Sequence, residues 1–217
     1  ALTVWMWAFR EREKEYDIFE RLTGARFTTS YTRIGGVAND LAPSVEAMIR
    51  KFIDELPGHL DECERLLNRN RIFLGRTDGV GTIARDTAID LGLTGPSLRA
   101  CGVDFDLRKA TPYLVYDSVE FDVPVFEGGD SLARYYVRMK EIRESARIVR
   151  QLLAALPSGD IHAFKPKKVL PRKERIYTKM EELIHDFMLV NFGIDPPVGE
   201  VYHAVEAPKG ELGFYIY

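Results

Sequence analysis

Cysteine is nearly absent: the 217 residues hold two, Cys63 and Cys101, and no Cys-x-x-Cys pair. Two isolated thiols cannot build a self-contained iron–sulfur cluster, which takes four thiolates. They indicate reduced thiols in a cytosol-facing protein rather than a disulfide framework. The four histidines, His59, His162, His185 and His203, are scattered, and nothing in their spacing proposes a metal site. Structural or solvent-exposed roles are expected for each. An excess of basic charge is also missing. The formal net charge is −3, which removes the electrostatic footprint of a nucleic-acid binder. No apolar run is long enough to span a membrane, and no signal-peptide pattern opens the chain. Gly79 and Gly81 do not complete a dinucleotide-binding fingerprint, and there is no Walker-type phosphate loop or internal repeat.

What remains is a chain with 46% apolar residues, enough to bury a sizeable core as one or two domains. It starts at Ala1 inside a helical pattern and stops at Tyr217 inside a strand-like run, so both ends read as cuts in a longer protein. Helical spacing of Leu2, Trp5, Phe9, Tyr16 and Phe19 predicts a helix from about Leu2 to Thr23, stopped by Gly24. The aromatic cluster Trp5, Trp7 and Phe9 of that helix serves either core packing, the more frequent use, or the wall of an apolar ligand pocket. A second helix follows Pro43, with an apolar stripe from Val45 to Leu67 that Pro57 should kink or break. Asn39 and Asp40 are placed to cap it. Residues 72–130 are less regular, with a short helix at Ile83–Leu91, a chain break at Gly95-Pro96, an extended stretch holding Asp106 to Tyr113, and a strand-like alternation at Val119–Val123. The longest helix is expected next, with an unbroken seam Leu132, Tyr135, Met139, Ile142, Ala146, Val149, Leu153 and Leu156. A Lys- and Pro-rich connection, Lys165 to Lys173, leads to a long helix from Lys173 to Phe192. Glu200–Glu206 and Glu211–Tyr217 then form a hairpin that needs further strands to be stable. The expected fold class is mainly α. Residues 1–196 form a bundle of long helices with an irregular insert, and residues 197–217 form the start of a C-terminal β-region.

Between the first two helices lies Arg26–Leu41, in which Gly35-Gly36 allows positive φ or a close backbone approach and Arg33 adds a fixed cation. On pattern alone it is an ordinary helix–loop–helix connection. Seven segments give it more meaning: Ala1-Leu2-Thr3, Phe9-Arg10-Glu11-Arg12-Glu13-Lys14, Gly24-Ala25-Arg26, Arg33-Ile34-Gly35-Gly36-Val37, Asp106-Leu107-Arg108-Lys109, Glu120-Phe121-Asp122-Val123-Pro124-Val125 and Glu206-Ala207-Pro208-Lys209-Gly210-Glu211. Each alone is weak, but in this order they resemble the large quinone-site subunit of the peripheral arm of respiratory complex I, NADH:quinone oxidoreductase. That family is related to the large subunits of nickel–iron hydrogenases. Glu206-Ala207-Pro208-Lys209-Gly210 also resembles the hydrogenase segment in which an Arg stands at the Lys position.

The resemblance implies a hydrogenase large-subunit-like helical fold and a role as a subunit of a proton-translocating NADH:quinone oxidoreductase. Electrons from NADH pass through iron–sulfur clusters in neighbouring subunits and reduce a quinone in an apolar cavity. By resemblance Trp5, Phe9, Phe27 and Lys209 fall at cavity positions, and Thr28, Arg33, Gly35 and Gly36 lie near the terminal cluster. The chain itself would bind no metal or other cofactor. Its partners would be other complex I subunits, especially the holder of the terminal cluster and the adjoining membrane subunit, together with quinone. It would lie peripherally on the cytoplasmic side of a bacterial cell membrane, or the matrix side in mitochondria. Many family members carry His where this chain has Thr28. Three alternatives are a nickel–iron hydrogenase-type large subunit, the large subunit of a membrane-bound hydrogenase- or formate-hydrogenlyase-type complex, and a non-catalytic helical scaffold.

Overall fold

The computed structural model describes residues 2–162 and 169–217. Residues 165–168 of the expected Lys-rich connection lie outside them. The chain is mainly α-helical, with two small antiparallel hairpins. Its elements are α1 (Leu2–Thr23), β1 (Thr32–Arg33), β2 (Gly36–Val37), α2 (Pro43–Leu67), α3 (Arg71–Thr77), α4 (Arg85–Asp90), α5 (Gly95–Arg99), α6 (Leu107–Ala110), α7 (Ser131–Ala154), α8 (Lys173–Ile176), α9 (Met180–Phe192), β3 (Val201–Ala207) and β4 (Gly210–Ile216).

It divides into two compact units. One gathers the chain up to Arg12, Arg50–Leu156 and Glu200–Tyr217; the other gathers Glu13–Ile49 and Pro157–Gly199. In the first unit, Ala88, Leu98 and Cys101 form one buried cluster, with Ile83, Leu93, Val103 and Phe105 against it. Ala100, Ala133 and Val137 form another, under Phe126. Asp130 starts α7 by accepting from the Ala133 amide at 2.7 Å, and its other oxygen accepts from the Gly79 amide at 2.7 Å. This double capping ties the Gly79 turn to the helix start, and the two amide hydrogen bonds overcome the effect of burial to hold the Asp130 carboxyl below its usual range.

Several local expectations change. α2 runs through Pro57 without a break and, at 25 residues, is one longer than α7. A proline inside a helix removes one ladder hydrogen bond, a cost that buried neighbours Ile53 and Leu60 offset. Asn39 donates to the Leu22 carbonyl at 3.3 Å, and Asp40 accepts from the adjacent Leu41 amide at 2.8 Å; the expected capping of α2 by either is not what these side chains do. Gly95-Pro96 opens α5 instead of breaking the chain, because proline fits the first helical turn, where its missing N–H costs nothing. Asp106 likewise nucleates α6 by accepting from the Arg108 amide at 2.9 Å, where an extended stretch was expected. Val119–Val123 pairs with no strand among the described residues. Its amides go to α7 side chains: Glu120 N–H to Gln151 Oε1 at 2.9 Å, and Asp122 N–H to Glu144 Oε2 at 3.0 Å.

α7 buries Ala133, Val137, Met139, Ala146, Ile148 and Leu153, whereas Ile142 and Val149 of the expected seam are exposed. The small side chains Ala133 and Val137 admit α5 against the first turns of α7. The expected helix from Lys173 to Phe192 is two pieces, α8 and α9. Between them the Thr178 hydroxyl donates to the Glu174 carbonyl at 2.9 Å, and Lys179 is extended. The apolar residues Met180, Leu183, Phe187 and Val190 of α9 are exposed. The C-terminal hairpin has the expected register: Val201 pairs with Ile216 and Ala207 with Gly210, leaving Pro208-Lys209 as the turn.

Candidate functional site

In the second unit, Arg33, Gly35 and Gly36 belong to one small hairpin, with Arg33 opposite Gly36. Two residues per strand cannot hold a hairpin alone, so it leans on the chain after Pro157. Gly36 bridges His162, and the Val37 amide donates to the Ile161 carbonyl at 3.2 Å. A Cβ on Gly36 would lie 2.1 Å from the Ile161 oxygen, and one on Gly35 would lie 2.6 Å from a Val169 methyl. Glycine is required here for the close approach as well as for the φ of +152° at Gly36. Arg33 is exposed, its Nε 3.5 Å from the Ser30 carbonyl. Phe27 is 69% exposed and meets the Tyr16 ring edge-on with 6.2 Å between centroids; Thr28 is exposed beside it. Arg26, next in the chain, pairs with Glu13, Asp17 and Glu20 at 2.6 to 2.9 Å and so fastens this loop to α1.

In the first unit, Trp5 and Phe9 form one tilted ring pair, 4.3 Å between centroids, and both are exposed. Neither ring is buried among the described residues. Lys209 is exposed at the β3–β4 turn. The structure thus pairs Trp5 with Phe9 and joins Arg33, Gly35 and Gly36, but distributes the expected site residues over both units.

Beneath the Lys209 turn lies a constellation that sequence reasoning missed. Arg99, 2% exposed, ends α5. Its Nε donates to Glu141 Oε1 at 2.7 Å, its Nη1 to the Phe105 carbonyl at 2.9 Å and its Nη2 to Glu206 Oε1 at 2.9 Å. Asp106 lies 3.6 Å from the same guanidinium and takes both Nε and Nη2 of Arg108, at 2.9 and 2.7 Å. Arg108 in turn covers the buried Phe121 ring, 4.8 Å from its centroid. Segments around residues 106, 121 and 206, far apart in sequence, therefore meet at one buried locus. Its charges answer to their neighbours. Burial pushes the Asp106 carboxyl up, but the hydrogen bond and charge of Arg108 outweigh it and hold the group below the usual range. Burial raises the Glu141 carboxyl, and the Arg99 charge offsets only part of that. Arg99 gave no signal in sequence: a single arginine between Leu98 and Ala100 carries no period or motif.

The histidines are local. His59 lies 3.3 Å from Glu11 and 3.8 Å from Glu62, and His203 meets the Tyr113 ring edge-on. His185 Nε2 is shielded from solvent, with no hydrogen-bond partner among the described residues. Cys63 and Cys101 are free thiols, and burial pushes both upward in pKa. Among the described residues no group of three or more His, Cys, Asp and Glu side chains could hold a metal ion.

Comparison with known families matches residues 1–217 to the family described as respiratory-chain NADH dehydrogenase, 49 Kd subunit. The chain is 52% identical, over its whole length, to the first D-type subunit of NADH-quinone oxidoreductase from Chloroherpeton thalassium, of which it covers 49%. It is 52% identical to the D-type NADH-quinone oxidoreductase subunit of Methylacidiphilum infernorum, covering 52% of that protein, and 49% identical to that of Salinibacter ruber, covering 48%. The chain spans about half the length of the curated relatives it matches.

Proposed function

The chain belongs to the respiratory-chain NADH dehydrogenase 49 kDa subunit family, and from that membership we propose that the whole protein is the quinone-site subunit of a proton-translocating NADH:quinone oxidoreductase. The observation that carries this is the family match along every residue at about half identity. The overall reaction transfers two electrons and one proton from NADH, plus one proton from the medium, to a quinone, giving NAD⁺ and the quinol. Neighbouring subunits hold the NADH and the iron–sulfur clusters that deliver the electrons. This chain supplies cavity wall, hydrogen-bond donors and fixed charge.

The exposed pair Trp5 and Phe9 fits an apolar wall, since large rings left out of a core seek another apolar surface. Phe27, exposed within its own unit, is proposed for the cavity from the family resemblance alone. Lys209 presents an ammonium at a tight turn, suited to donating to a quinone oxygen. Arg33, on a hairpin held by Gly35 and Gly36, sets a fixed positive charge for the cluster region, and Thr28 offers a neutral hydroxyl there. The helices form part of a hydrogenase-like bundle, and residues 197–217 begin a larger β-region. Partners are the subunit holding the terminal cluster and the adjoining membrane subunit. The seat proposed from the family is peripheral, on the cytoplasmic or matrix side; among the described residues no helix is long and apolar enough to cross a membrane.

The test is Lys209→Met in the assembled complex. Quinone turnover should fall while electron transfer from NADH to a hydrophilic artificial acceptor persists. Unchanged quinone kinetics across several tail lengths would remove Lys209 from the cavity.

A further inference from the structure

Lys209 stands on a two-residue turn, and such a turn ordinarily takes its position from its own strands. Here a single short helix grips both of its flanks. The first residue of α5, Gly95, lies under Gly210: a Cβ on Gly95 would come 2.4 Å from the Gly210 Cα. The preceding Thr94 accepts the Glu211 amide on its hydroxyl at 2.9 Å. The last residue of α5, Arg99, holds the Glu206 carboxylate at 2.9 Å. The other Glu206 oxygen accepts from the Leu107 amide at 3.4 Å, and the Glu206 amide donates to the Tyr113 hydroxyl at 3.1 Å. One flank of the turn is therefore fixed three residues before Lys209 and the other one to two residues after it.

We propose that Arg99 is a positioning residue for the quinone: by tying Glu206 to α5 and α7 it fixes the turn, and so the place of the Lys209 ammonium. This rests on the assignment of Lys209 to the quinone cavity. The chemistry favours the planar guanidinium. It donates in three directions at once, to Glu141 on α7, to the Phe105 carbonyl and to Glu206 on β3. A lysine ammonium at the same place is a compact point charge on a flexible stem and cannot reproduce that fork. Arg99 is 2% exposed, so it acts only through the residues it holds. α5 is itself seated on α7 through Ala100, Ala133 and Val137, which gives the grip a rigid base.

The experiment uses the full-length subunit in the assembled complex, with Arg99→Lys, Glu206→Gln, Lys209→Met and the double variant of Arg99→Lys with Lys209→Met. A displaced ammonium should raise the quinone KM about three- to tenfold in Arg99→Lys, since small misplacements of a positioning group cost up to about a hundredfold. NADH oxidation by a hydrophilic acceptor should be unchanged. In the Lys209→Met background the added effect of Arg99→Lys should vanish to within about twofold, the mark of two residues acting as one unit. A rise that persists in full in that background overturns the proposal. So does a lowered thermal midpoint with unaltered quinone KM and kcat, the signature of a merely structural residue. Should Arg99→Lys fail to assemble, Glu206→Gln and Thr94→Val, which removes the acceptor for the Glu211 amide, read the same two quantities. A raised quinone KM that depends on Lys209 supports the proposal, and unaltered kinetics refute it. If Lys209→Met alone leaves quinone kinetics intact, the cavity assignment falls and the positioning role with it. If Lys209→Met is impaired and Arg99→Lys is not, only the positioning role falls.

Discussion

Gly36 offers the sharpest test of the local geometry. Gly36→Ala would put a methyl 2.1 Å from the Ile161 carbonyl oxygen, whereas carbon–oxygen contacts settle near ~3.3 Å, so roughly 1 Å of backbone displacement must follow. The φ of +152° adds strain of about 1–3 kcal/mol for a residue with a Cβ. The displacement also breaks the hydrogen bond from the Val37 amide to Ile161, worth about 1 kcal/mol. The total is ~2–4 kcal/mol. Gly24→Ala is the control: its φ is +81° but no atom of the described residues lies within 4 Å of a Cβ there, so only a left-handed strain of about 1–2 kcal/mol applies. The difference between the midpoints, ~1.5 kcal/mol, corresponds to about tenfold faster amide exchange in the segment spanning 32–38. Hydrogen exchange read by mass spectrometry on the full-length subunit measures it directly. If Gly36→Ala exchanges within twofold of Gly24→Ala over that segment, the close approach to Ile161 does not hold the hairpin and the reasoning fails.

Tyr135 donates to Asn68 Oδ1 at 3.0 Å, and burial together with nearby Glu64 pushes its phenol up to about 12. A pKa raised above the unfolded value near ~10 means full stability below that pH and loss as pH climbs through the folded value. Tyr135→Phe should cost about 1 kcal/mol at neutral pH, from the lost hydrogen bond, and should flatten the alkaline limb of a denaturation series; an unchanged limb would refute it. On the proposed placement of Arg33 near the terminal cluster, Arg33→Met should lower that cluster's potential and slow quinone reduction while NADH-to-acceptor electron entry persists, because a fixed cation favours the reduced, more negative state. Equal loss of both activities would assign Arg33 to assembly. Thr28 cannot ionise near neutrality, so with Thr28 beside the terminal cluster, as proposed, that cluster should show a low, nearly pH-independent potential, suited to a low-potential quinone such as menaquinone, where a titrating His would give about 59 mV per pH unit. Redox titration at several pH values reads it. A steep slope in the native complex, or a Thr28→His variant with unaltered potential, would refute it.

Periodic elements were legible and their partners were not. α1 has the bounds its apolar spacing predicts, and Gly92 and Gly24 stop helices through positive φ, as local chemistry requires. The β3–β4 register follows from alternation and a Pro-Lys turn. Short helices such as α5 and α6 escaped because four or five residues give no period; only their first residues, Gly95-Pro96 and Asp106, carried a signal, and Gly-Pro marks a turn as readily as a helix start. The β1–β2 hairpin escaped for a related reason: with two residues a strand, it exists through contacts with residues 161, 162 and 169.

The same division runs through the candidate site. Glu206–Glu211 stands out in sequence through its resemblance, but what holds Glu206 is an arginine 107 positions away, whose other carboxylate, Glu141, is 42 positions away. A buried ion pair is costly to break, about 3–5 kcal/mol when one partner is removed, because the remaining charge is left in a poorly solvated place. That penalty couples residues without leaving any local pattern. Lys209 is exposed and free of that constraint, whereas the residues that determine where it points are buried and interdependent. A substitution at Lys209 therefore tests chemistry at the turn with little disturbance beneath it, and a substitution at Arg99 tests the geometry on which that chemistry would depend. Only the two together separate a lysine that matters for its charge from one that matters for its position.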